Sequence, residues 1–163
     1  MSDLRSTSSR RTLLAAAAAV TLVGGAHAQG TGDAAQLATI MQNYAAALRS
    51  NNVEALVALY TPNGVFMRED MPAVVGRDAL GKAYREVFST LKVDLAFTIQ
   101  ETEVAGDMAW LRSTSTGRIK ILATGAESSN SFNELVVFRR EGGAWKIRSY
   151  IYASNRPGPG PAK

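Results

Sequence analysis

GRDALGKAYREVFSTLKVDLAFTI, residues 76–99, changes its hydrophobic period halfway along. Leu80, Tyr84, Val87, Phe88 and Leu91 recur at helical spacing, which puts them on one buried stripe. From Val93 the period is two: Val93, Leu95, Phe97 and Ile99 alternate with polar or small partners, as on a strand with one covered face. Upstream of this switch the chain reads mainly as helix. A first helix begins near Asp33, a residue suited to the N-cap, and carries Leu37, Ile40, Met41, Tyr44, Ala45 and Leu48 on one stripe. Asn51-Asn52 interrupts it, and Val53, Leu56, Val57 and Tyr60 repeat the pattern over a shorter second helix. Thr61-Pro62-Asn63-Gly64 makes a turn before a brief strand at Val65 to Met67, and Gly76-Arg77-Asp78 opens the third helix.

Downstream the chain reads as strands. Ala105-Gly106-Asp107 turns into a strand at Met108 to Ile121, Ala123 to Asn130 forms a loop, and Glu141-Gly142-Gly143 separates strands at Ser131 to Arg140 and Ala144 to Ala153. Three helices preceding a four-stranded antiparallel meander predict an α+β domain, with a sheet curved around the helices to enclose a cone.

The two ends read differently from this domain. Arg5, Arg10 and Arg11 precede an apolar run from Leu13 to Val23, and Ala26-His27-Ala28 supplies small residues around a cleavage point, so residues 1–28 read as a signal peptide. The run is shorter than the roughly 20 residues that span a bilayer, so no membrane association is expected after cleavage. Ser9-Arg10-Arg11-Thr12-Leu13-Leu14 resembles a twin-arginine export signal. The arginines also suit an ordinary basic start, but the mildly apolar, alanine-rich core favours the twin-arginine route. The expected location is therefore periplasmic or secreted. Residues 29–155 form the domain, and 156–163, with Pro157, Pro159 and Pro161 alternating with glycine, a tail. Removing the leader takes three arginines and Asp3, so the formal charge falls from +4 to +2. The remaining cations are scattered, which argues against a nucleic-acid partner.

Cleavage also removes the chain's one histidine, His27, and there is no cysteine. The domain therefore has no imidazole or thiolate for a triad, a Cys–His pair or the commonest zinc ligands. No metal is expected. No Gly-x-Gly-x-x-Gly or Walker pattern occurs, so no nucleotide cofactor is expected either. Chemistry falls to carboxylates, tyrosines, lysines and arginines.

The order of elements and its landmarks resemble the nuclear transport factor 2-like, or ketosteroid isomerase-like, superfamily and its SnoaL-like branch. The resemblance is carried by Tyr44-Ala45-Ala46-Ala47-Leu48, Val57-Ala58-Leu59-Tyr60, Gly64-Val65-Phe66-Met67, Val75-Gly76-Arg77-Asp78-Ala79-Leu80 and Trp145-Lys146-Ile147-Arg148. It implies a cystatin-like roll with a cavity in its cone, and it spans isomerases, cyclases, hydrolases, dehydratases and non-catalytic binders on one scaffold. In ketosteroid isomerase a tyrosine and a neutral acid donate to a developing enolate while an aspartate removes the proton. The resemblance places Tyr44 on the tyrosine and Arg68 on the base, and an arginine cannot abstract a proton at neutral pH. It places Asn133 or Glu134 on the neutral acid. Relatives commonly pair through the exposed sheet face, which implies a homodimer.

Each residue also has a plainer reading. Tyr44 sits on an apolar stripe and suits a core position with a wet hydroxyl. Glu69 and Asp70 lie beside Pro72, where solvated charges are usual, and Arg68 could pair with them; as a pocket cation it would instead attract a carboxylate or an enolate. Trp110 alternates with Arg112, Thr114 and Thr116 on one strand face, opposite Ala109, Leu111, Ser113 and Ser115. Trp145 suits packing. Tyr150 and Tyr152 share a face near the end of the last strand, where the family's pocket often lies. The expected ligand-binding set is Tyr44, Arg68, Asn133, Tyr150 and Tyr152, around an apolar or weakly acidic small molecule with an anionic or enolisable group. Three functions follow: an exported small-molecule-binding protein, a cofactor-independent isomerase, cyclase or hydrolase with a carboxylate base and a tyrosine donor, or a dimerisation or accessory domain. A carboxylate pointing into the cavity, from Glu69, Asp70 or Glu134, would distinguish the second from the first.

Overall fold

The computed structural model describes residues 25–155, so the expected leader up to residue 24 and the tail from residue 156 lie outside the described residues. Three helices, α1 (Gly25–Arg49), α2 (Val53–Ala58) and α3 (Arg77–Thr90), lie against one curved, open sheet of six strands. In chain order these are β1 (Tyr60–Met67), β2 (Val74–Val75), β3 (Leu91–Ala105), β4 (Met108–Ile121), β5 (Glu127–Glu141) and β6 (Ala144–Ser154). The α+β cone is as expected, but the sheet is larger than a four-stranded meander. Its order is β2-β1-β6-β5-β4-β3, with β1 parallel to β6 and every other pair antiparallel.

The Asn51-Asn52 break works through two opposite asparagine geometries. Asn51 takes a left-handed backbone at φ 54°, closing α1 with Asn51 N–H to Leu48 O and Asn52 N–H to Ala47 O. Asn52 then caps α2, its Oδ1 accepting from Ala55 N at 2.9 Å. Tyr60 is not on that helix. Leu59 caps α2, and Tyr60 opens β1 beside Ile147, with its ring buried. Leu37, Met41, Tyr44 and Leu48 are buried along α1, which crosses β3. No helix among the described residues is long and apolar enough to cross a membrane.

Bulges curve the sheet and decide which side chains enter the cone. Between β5 and β6 the register runs from Val137↔Ser149 to Phe138↔Ile147, leaving Arg148 as an extra residue. Trp145 and Ile147 face inward before it and Tyr150 after it, so the bulge turns Tyr150 inward in place of Ser149. A second shift, between Ile99 and Glu101, bends β3 against β4. At Gly117 the backbones approach so closely that a Cβ would lie 2.0 Å from Asp94 O, which only glycine accommodates.

Asp33 does not cap α1. The helix continues past it, and its carboxylate, 6% exposed, is drawn inward to accept from Trp145 Nε1 at 3.0 Å and to pair with Arg140 Nη2 at 2.7 Å. Arg140 lies over the Trp145 ring at 4.3 Å, so Trp145 packs while also fastening the first helix to the β5–β6 turn. The indole hydrogen bond and then Arg140 hold the Asp33 carboxyl below the usual aspartate range. A lowered carboxyl stabilises the fold above the unfolded-state value and loses that contribution as pH falls through the folded-state value. Asp33→Ala is therefore expected to lower the thermal midpoint at neutral pH, with a difference from wild type that shrinks under acid, measured by Trp fluorescence melts. An equal difference at all pH values would contradict this.

Candidate functional site

Inside the cone lies a cavity of about 240 Å³. Tyr44, Tyr84, Tyr150 and Glu134, each at most 4% exposed, form its deep end. Arg68, Glu69 and Met71, from the β1–β2 connection, line its outer end, where Met71 is 53% exposed. Between them the lining is apolar, chiefly Leu48, Phe66, Val93, Leu95 and Phe132.

Alternation along β5 explains the buried carboxyl. Glu134, Val136 and Phe138 are buried, whereas Asn133 and Leu135 face out. The expectation that Asn133 lines the pocket is thus corrected: it lies on the outer face, and Glu134 enters the cavity. Ser113 Oγ donates to Glu134 Oε2 at 2.5 Å, and Tyr150 OH to Oε1 at 3.1 Å. Burial pushes the Glu134 carboxyl above the usual glutamate range, and the hydroxyl donors draw it back only in part. Ser115 Oγ, also buried on β4, lies near enough to the same carboxyl to help lower it but forms no hydrogen bond of ordinary geometry.

Three tyrosines join end to end. Tyr84 OH lies 2.8 Å from both Tyr44 OH and Tyr60 OH. Burial, and then for Tyr44 and Tyr60 the nearness of the other hydroxyls, pushes these phenols well up, so all three stay protonated at neutral pH. Gly64 makes room for the Tyr60 ring, because a Cβ there would stand 2.7 Å from Tyr60 Cδ1. Tyr44 also meets Tyr150 edge to face, with centroids 5.1 Å apart. Its two readings merge: it is core packing and cavity lining at once.

Arg68 follows β1 directly and sits 5.9 Å from the centroid of the Phe66 ring. Its Nε is buried without a hydrogen-bond partner, and no ion pair among the described residues includes it. The neighbouring carboxylates do not neutralise it. Glu69 Oε2 accepts from Ser154 N at 3.0 Å, and Asp70 is an exposed residue in a left-handed turn at φ 57°. Of the expected set, Tyr44, Arg68, Tyr150 and Tyr152 converge on one cavity. Tyr60 and Tyr84 were not in that set, because both fall on apolar helical spacings that read as core; only their hydroxyls marked them. Among the described residues no group of three acidic or metal-ligating side chains could hold a metal ion.

Three helices on one curved, open sheet form the nuclear transport factor 2-like scaffold. The chain belongs to the SnoaL-like domain family, whose pattern matches residues 41–149. Among solved structures, a ketosteroid isomerase-like protein from Erwinia carotovora is 31% identical, covers 76% of this chain and 96% of its own, and superposes with a TM-score of 0.71. A nuclear transport factor 2-like protein with a cystatin-like fold from Novosphingobium aromaticivorans is 19% identical over 86% of this chain and 94% of its own, with a TM-score of 0.67. A conserved protein from Planctomyces limnophilus, 18% identical over 76% of this chain and 98% of its own at a TM-score of 0.69, shares the fold. No curated protein matches the chain.

Proposed function

We propose that this SnoaL-like domain is an exported small-molecule-binding protein whose cavity also equips it for proton transfer at Glu134, without a cofactor. The observation that carries this reading is a carboxyl 4% exposed at the deep end of an otherwise apolar cavity, beside tyrosine hydroxyls. A cavity of about 240 Å³ falls below the roughly 300–1,000 Å³ of sites for drug-sized ligands, so its occupant is a molecule of one or two rings. Burial raises the Glu134 carboxyl above the usual glutamate range, which favours a group that both gives and takes a proton. Purely passive binding is the second reading. It is favoured by Arg68, which stands where the resembling isomerase keeps its base.

Proton exchange at the α-carbon of 2-tetralone in deuterated buffer, followed by NMR, separates the two readings. The catalytic reading expects exchange faster than in buffer alone, and a loss of about 10²-fold or more in Glu134→Gln with ligand affinity little changed. Wild-type exchange no faster than in buffer alone would leave passive binding as the function, and equal acceleration by both proteins would overturn Glu134 as the proton-transfer group.

Export and pairing are parts of the same proposal. The leader pattern supports removal of residues 1–28. Pairing through the outer sheet face is supported by Met108, Leu135 and Ile151, each more than 40% exposed, around a partly exposed Trp110. Native mass spectrometry of periplasmic protein should give twice the mass of a chain beginning at Gln29. A monomer would contradict pairing, and a mass that retains His27 would contradict the cleavage site.

A further inference from the structure

Resting on the reading of the cavity as a small-molecule site, we infer that its ligand is a one- or two-ring carboxylate with a second oxygen, the carboxylate held by Arg68 and the second oxygen by the tyrosine cluster. The first half follows from Arg68. Arg49, Arg112, Arg118 and Arg140 each pair with a carboxylate, Arg148 donates to Asn63 O, and Arg77, Arg85 and Arg139 are exposed to water, whereas Arg68 is partly buried with an unsatisfied Nε. A guanidinium leaves such a donor unmet at a cost unless an oxyanion arrives, and its fork suits a planar carboxylate. Among the described residues Arg68 is the one cation lining the cavity, and Glu69 stands next to it. One cation beside one acid suits a monoanion and disfavours a phosphate dianion.

The second half is a count of protons. Three hydroxyls, Tyr44, Tyr60 and Tyr84, bring three O–H donors to two hydrogen bonds, so one donor is left over. Each oxygen of Glu134 accepts one hydrogen bond, from Ser113 and from Tyr150, and none from Tyr44, Tyr60 or Tyr84. In the arrangements that leave the spare proton on Tyr44 or Tyr84, both of which line the cavity, an oxygen on the ligand is an acceptor in reach. Between the two polar ends, Phe66 and Phe132 offer flat apolar walls to a ring.

The test is a titration of wild type, Arg68→Gln and Arg68→Lys with 4-hydroxybenzoate, its neutral amide and benzoate, by calorimetry and by shifts of the cavity tyrosine signals. In wild type, 4-hydroxybenzoate should bind about tenfold tighter than the amide and about fivefold tighter than benzoate. Arg68→Gln should erase the preference over the amide, and Arg68→Lys should retain part of it. Equal binding of acid and amide by wild type would overturn the carboxylate while leaving the cavity reading intact. A preference that survives in Arg68→Gln would overturn the role of Arg68, and equal binding of benzoate and 4-hydroxybenzoate that of the second oxygen. If none of the three moves the tyrosine signals at millimolar concentration, the ligand class and the cavity reading both fall.

Discussion

A carboxyl withdrawn from water into an apolar cone must be compensated, and the interior of this domain is arranged around the compensation of Glu134. Two hydroxyls meet it, from Ser113 on the neighbouring strand to one side and Tyr150 on the strand to the other. Both depend on strand register. Tyr150 enters the cone only because the bulge at Arg148 reverses the alternation of β6, and Ser113 stands directly across from Glu134 in the β4–β5 ladder. An unmet buried carboxylate costs far more than a hydrogen bond returns, so these two residues are conditions of the site as much as contributors to its stability.

A second buried acid meets the same constraint differently. Asp33 is satisfied by an indole and a guanidinium, so it is held as a carboxylate, whereas Glu134 is met only by neutral hydroxyls and is raised. The ionised acid fastens a helix to the sheet; the raised one is left facing a cavity. The tyrosine chain completes the deep end: it is anchored outside the cavity by Tyr60, which Gly64 admits, and it delivers Tyr44 and Tyr84 to the lining.

The fold was legible where one residue type admits one local geometry. The change of period at Val93, the glycines of the Gly106 and Gly142-Gly143 turns and the asparagine pair between the first two helices all marked real boundaries. Misreadings arose where a tertiary partner decided. Val53, Leu56, Val57 and Tyr60 do have helical spacing, but Tyr60 leaves the helix to pair with Ile147. Asp33 has the side chain of a cap, yet Trp145 and Arg140, more than 100 residues away, claim it. Two-residue β2 carries too few residues for any period to show. In the site, family resemblance narrowed the acid to Asn133 or Glu134. The parity of Val136 and Phe138 contained the answer, since apolar residues in step with Glu134 place it inside. The link among Tyr44, Tyr84 and Tyr60 depends on where three separate elements meet, which no local pattern encodes.

The protonation of Glu134 is the property on which the account turns. A carboxyl raised in the folded state stabilises the protonated form, so its contribution is full below the unfolded value and is lost as pH rises through the folded one. NMR titration of ¹³C-labelled glutamate, with the Glu134 signal assigned from its absence in Glu134→Gln, reads this directly. The expected midpoint lies above the ordinary glutamate value of 4.5. A midpoint at or below that value would show a solvated or fully paired carboxylate, and would contradict a proton held at the deep end of the cavity.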